Sequence, residues 1–176
     1  MDRRQDVRLY NLLLPIWMLV FFPSWLWLLL IPANYLLDRV VLRWSLGDLP
    51  EKGLFCRKHT WKICLIGFLA DFLGVVLLFA VLLLDAGVEA GHPFLEALVY
   101  GVGYNPFSNP AAFLVTALGV ALAGLVIYRL DRRILRRAGL EEARAEHSAR
   151  MMALITAPYF FLFPSALIYQ SGLFQF

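Results

Sequence analysis

Charge is scarce in this sequence. Only 16% of its 176 residues are Asp, Glu, Lys or Arg, against roughly a quarter in an ordinary soluble domain. Cysteine is scarcer still. Cys56 and Cys64 are the only two, too few for the disulfide framework of a small secreted scaffold, and no bridge between them is expected if their loop is cytoplasmic. There is no glycine-rich phosphate loop and no plausibly arranged serine, histidine and acid. No enzyme activity and no cofactor are therefore expected. Cys56-x-x-His59 with Cys64 and His147 has irregular spacing for zinc, and no metal is expected. The lone His92 beside Pro93 reads as a loop residue.

What the chain has in abundance is apolar surface, at 61% hydrophobic residues. The residues fall into four runs of about the 20 needed to cross a bilayer. The first is Leu12 to Leu37, with Pro15, Pro23 and Pro32 inside it. The second is Cys64 to Leu84 and the third Ala111 to Leu130. The fourth runs from Met151 to about Leu173, with Pro158 and Pro164 inside. The expected fold is an all-α integral membrane protein with four transmembrane helices. The first run is long, rich in Trp and Pro, and lacks a small-residue cleavage site, so it reads as a retained helix rather than a secretory signal.

Basic residues orient the helices. The first loop holds Arg39, Arg43, Lys52, Arg57, Lys58 and Lys62. The third holds Arg129, Arg132, Arg133, Arg136, Arg137, Arg144 and Arg150. The second loop has only acids, Asp85, Glu89 and Glu96. The expected localisation is the cell membrane, multi-pass, with the first and third loops cytoplasmic. Four crossings then place the N-terminus outside, although Arg3, Arg4 and Arg8 oppose it. A re-entrant first segment that returns the N-terminus to the cytoplasm is the alternative.

A repeat underlies this pattern. "YLLDRVVLR" occupies Tyr35 to Arg43, and "YRLDRRILR" occupies Tyr128 to Arg136, with six of nine positions identical. Tyr10-Asn11 and Tyr104-Asn105 mark matching points upstream. The expectation is a single membrane domain, 1–176, made of two tandem two-helix repeats, about 10–84 and about 104–174. Two crossings per half would relate the halves by a pseudo-two-fold along the membrane normal. Gly47 and Gly139 read as the stops of helices that continue past the motif.

Asp38 and Asp131 sit where those helices leave the bilayer, and a carboxylate there wants a partner. They read as structural clamps, Asp38 to Arg132 and Asp131 to Arg39 across the axis. Snorkelling helix-end charges are the plainer alternative. Asp71 lies within the second run, where an acid is costly and often functional. Thr156, Tyr159 and Tyr169 offer hydroxyls, the first two at a comparable depth, so Asp71 and Tyr159 form the intramembrane polar set. Asp71 suits either a hydrogen-bonded packing role or a cation or proton path.

The basic face admits three readings: topology alone, anionic lipid headgroups, or RNA, whose phosphates meet Arg and Lys while planar side chains stack on bases. "RLDRRILRR" is denser in Arg than topology requires. Candidate RNA-binding residues are Arg39, Arg43, Arg57, Lys58, Arg129, Arg132, Arg133, Arg136 and Arg137.

Length, helix count, charge and the motif Leu36-Leu37-Asp38-Arg39 resemble the bacterial membrane protein family associated with OLE RNA, a large structured noncoding RNA. The family motif is Arg-Leu-Leu-Asp-Arg; here Tyr35 replaces the first Arg, and Arg129-Leu130-Asp131-Arg132 is one Leu short. The resemblance implies a homodimer that binds noncoding RNA at the membrane, with a link to magnesium homeostasis and stress adaptation. The leading expectation is a non-enzymatic membrane scaffold for a ribonucleoprotein, with anionic lipids as further partners. A small cation, proton or solute channel or transporter using Asp71 is the alternative. An accessory subunit of a larger membrane complex is a third reading.

Overall fold

The computed structural model describes Pro15, Trp17, Met18 and residues 27–86 and 92–170. Among these residues every regular element is helical. The helices are α1 (Trp27–Ser45), α2 (Lys52–Ala86), α3 (Pro93–Tyr104), α4 (Pro110–Arg137), α5 (Glu142–Thr156) and α6 (Ser165–Gln170). Tyr10-Asn11, the early part of the first apolar run and the tail beyond Gln170 lie outside the described residues.

Two helices are long and apolar enough to cross a membrane, α2 over Lys52–Leu84 and α4 over Pro110–Arg137. At about 1.5 Å per residue the 35-residue α2 is roughly 50 Å long, well beyond the ~30 Å of a hydrocarbon core. It starts three turns before the apolar run that defines it in sequence. The first turns carry Lys52, Arg57, Lys58 and Lys62, which belong in headgroups or water.

Local chemistry sets the ends of α4. Asn109 caps its start, its side-chain oxygen accepting the Ala111 N–H at 2.8 Å, with Pro110 at the first position. At the other end Leu140 N donates to Leu135 O at 3.2 Å and Gly139 N to Arg136 O at 3.0 Å. This is the paired Schellman closure, and it needs the left-handed φ of +93° that Gly139 supplies. Gly47, at φ +56°, closes α1. Both helices do continue past their Asp-Arg motifs and stop at these glycines.

The fourth apolar run departs from expectation. It is not one helix. α5 ends at Thr156, Tyr159–Leu162 forms a single 3-10 turn, and the short α6 begins only at Ser165. Pro158 and Pro164 each remove a donor and push the preceding residue out of helical geometry; Ala157 sits at ψ 150° and Phe163 at ψ 125°. Pro32, by contrast, lies inside α1. The segment between α2 and α4 carries α3, a helix of 12 residues.

α4 buries a stripe of Ala112, Thr116, Gly119, Val120, Ala123, Ile127, Asp131 and Leu135. Small residues dominate its N-terminal half, which lets backbones approach, as is common between membrane helices. A Cβ on Gly74 of α2 would lie 3.3 Å from the carbonyl oxygen of Gly119, so the two spans meet there with no side chain between them. Phe161, fully buried, lays its ring against the same glycine. Gly101 gives α3 the same access to α4, since a Cβ there would overlap that of Ala112. Trp17 is buried at this end and donates Nε1–H to Val102 O at 3.0 Å.

α2 packs on α1 and α4, and α5 packs on α4 and α1. Large apolar side chains cover the outside, among them Leu28 at 81% exposure, Leu118 and Leu154. So much exposed aliphatic surface fits a protein whose solvent is lipid.

Candidate functional site

The last turns of α4 carry Arg129, Arg132, Arg133, Arg136 and Arg137. They form two adjacent rows spaced four residues apart, Arg129–Arg133–Arg137 and Arg132–Arg136, which run side by side along the helix. With Tyr128 they line an open groove of about 560 Å³. Glu142, at the start of α5, folds back to this face. It accepts a hydrogen bond from Arg132, and its Oε2 lies 2.8 Å from Arg136 Nε. Arg132, whose hydrogen bond acts most strongly, holds the Glu142 carboxyl below its usual range, with Arg136 contributing. Among the described residues Arg129, Arg133 and Arg137 have no carboxylate partner; the remaining ion pair joins Arg150 to Glu146 along α5.

The other basic candidates lie elsewhere. Arg39 and Arg43 are on α1, and Arg57 and Lys58 on the first turns of α2. None of them lines the α4 groove. Lys58 instead borders a cleft where the two glycine turns meet, between Leu49–Pro50 and Ala138–Leu140. Arg144 ties the turns together, donating to Leu46 O at 3.4 Å.

The expected clamps are not formed. Among the described residues no ion pair joins Asp38 to Arg132 or Asp131 to Arg39. Arg132 is drawn away by Glu142, ten residues downstream across the Gly139 turn. Asp131 is completely buried with neither carboxylate oxygen hydrogen-bonded, and Asp38, 5% exposed, hydrogen-bonds the Cys64 thiol. The two acids lie within each other's field. Each has a fully buried leucine one turn on, Leu42 and Leu135. The motif therefore turns its acid inward and its arginine outward, because helical residues one step apart point about 100° apart.

Asp38 and Asp71 border one cavity of about 210 Å³ between α1, α2 and the break after α5. Asn34, Cys64, Thr156 and Tyr159 share its wall. Cys64, Gly67 and Asp71 reach it together because they lie on one face of α2. The side chain of Tyr169 lies outside the described residues. Sequence reasoning found Asp71, Thr156 and Tyr159 but missed Asn34 and Cys64. Asn34 stands one helical turn before Asp38, and Cys64 two turns before Asp71; that spacing was the available signal. Both cysteines are free. Among the described residues no three His, Cys, Asp or Glu side chains form a set suited to a metal ion, and Cys56, His59, Cys64 and His147 are no exception.

The chain matches no family model, no curated protein and no solved structure.

Proposed function

We propose that this is a four-segment membrane protein whose basic end faces the cytoplasm and binds a structured noncoding RNA, anchoring a ribonucleoprotein at the membrane. The observation that carries this reading is the arginine face of α4, where one internal acid answers two of five guanidinium groups. Orienting a helix requires only a few positive charges. A row of unanswered arginines beside an aromatic side chain, Tyr128, suits phosphates and exposed bases. The resemblance to the OLE RNA-associated family points the same way, and the homodimer it implies forms part of the proposal.

A tandem repeat organises the molecule in this reading. Its support is twofold. Helix, glycine turn and helix occur twice, with Asp38 and Leu42 buried like Asp131 and Leu135. Exchanging α1 with α4 and α2 with α5 also maps the packed helix pairs onto one another. Trp17 beside α3 supports an N-terminal segment near the outer end.

The test is the salt dependence of RNA binding in nanodiscs of uncharged lipid. RNA affinity falls with salt with a slope set by the phosphates neutralised, about 0.7 to 0.9 per contact. Replacing Arg129, Arg133 and Arg137 with Gln flattens the slope by about two to three. An unchanged slope places the contact elsewhere. Binding to anionic-lipid vesicles without RNA binding would assign the face to headgroups.

A further inference from the structure

We propose that the cavity between α1, α2 and the break after α5 binds a small monovalent cation. Six polar side chains face the cavity: Asn34, Asp38, Cys64, Asp71, Thr156 and Tyr159. The hydroxyl hydrogens are already committed outside it, Thr156 donating to Met152 O at 2.9 Å and Tyr159 to Leu154 O at 2.6 Å. The Cys64 thiol is committed to Asp38. What remains is mostly acceptors, two carboxylates, two hydroxyl oxygens and the Asn34 amide oxygen, against the two N–H donors of that one amide. No Lys, Arg or His lines the space. Asp71 is 8% exposed, and its Oδ1 is buried with no partner. A buried carboxylate oxygen left unpaired costs free energy that a bound cation would offset.

The broken helix supplies an independent pointer. α5 ends at Thr156, and Ile155 to Phe160 form one wall of the cavity. The last carbonyls of a helix have no intrahelical partner, and this end carries the negative pole of the helix dipole. Interrupted helices in membrane proteins present such ends to cations. The volume leaves room for one ion with a few waters, at about 30 Å³ each. A stripped divalent ion would want more carboxylates than Asp38 and Asp71 provide.

This site is independent of the RNA reading, and each set of variants should leave the other activity unchanged. The experiment is thermal unfolding of the full chain in uncharged detergent, followed by tryptophan fluorescence. It compares NaCl, KCl and N-methylglucamine chloride at equal ionic strength. Sodium or potassium raises the midpoint saturably over N-methylglucamine. Asp38→Asn and Asp71→Asn each remove that rise. Equal midpoints in all three salts, or a rise surviving in the double variant, would overturn the proposal. Should a variant not fold, equilibrium binding of radioactive sodium and rubidium to the wild-type chain decides. Saturable binding displaced by unlabelled ion supports the site; its absence from both ions rejects it.

Discussion

Gly74 of α2 and Gly119 of α4 face each other where the two long helices cross, close enough that a Cβ on Gly74 would come within 3.3 Å of the Gly119 carbonyl. The same Cβ would press into the ring of Phe161. Gly74 is thus hemmed by backbone on one side and by a fully buried aromatic on the other. A Cβ on Gly119 meets Leu78 Cδ2 at 3.4 Å and Cγ at 3.6 Å, with the Gly74 carbonyl oxygen at an ordinary 3.8 Å, and a small side-chain adjustment absorbs the closest of these. Gly74→Ala should therefore destabilise the chain by about 1–3 kcal/mol, and Gly119→Ala by less. Thermal unfolding in detergent ranks the two. The reverse order would place the helix crossing elsewhere.

Asp131 makes the opposite kind of prediction. A clamp would lose stability when its acid is removed. Here both oxygens are buried without a hydrogen bond, so Asp131→Asn replaces an acid that nothing pairs with a neutral amide of the same shape. Its midpoint should equal or exceed that of the wild type. The charge swap Asp38→Arg with Arg132→Asp should rescue nothing, since Arg132 is held by Glu142. A swap that restored stability lost in the single variants would reinstate the cross-half pair.

In the proposed RNA complex Glu142 would compete with phosphate for the two arginines it pairs, Arg132 and Arg136. At neutral pH, Glu142→Gln frees Arg132 and Arg136 and should steepen the salt slope of RNA binding by about 1.4 to 1.8. The sign with pH follows from its lowered carboxyl. Stability from this pairing is complete above the ordinary value of 4.5 and is lost as pH falls through the lowered folded value. Wild type and variant should therefore differ at pH 7 and converge in acid, as read by RNA affinity across that range.

Much of the frame was legible from local chemistry. Asn109-Pro110 announces the start of α4, and Gly47 and Gly139 announce the stops of α1 and α4; a cap, a proline and a left-handed glycine each act within a few residues. The two continuous spans were legible because uniform apolarity over that length has few other uses. The fourth run was read too simply. Pro158 and Pro164 were visible, but whether a proline kinks a helix or ends it depends on packing, as Pro32 inside α1 shows. The clamp failed for the same reason. Arg132 was assigned a partner by pseudo-symmetry, while a nearer acid sat ten residues away across a turn. The cavity was half legible: Asp71 stands out in an apolar run, whereas Asn34 and Cys64 matter only because α1 docks beside α2.

The most direct test of the central claim is ultraviolet crosslinking in intact cells, comparing the wild-type chain with a variant carrying Gln at 129, 132, 133, 136 and 137. Both are recovered from the membrane fraction, and the attached RNA is sequenced. The account predicts a defined noncoding RNA on the wild type and at least a tenfold loss on the variant at equal membrane levels. Equal RNA on both chains, or none above background on the wild type, would contradict it.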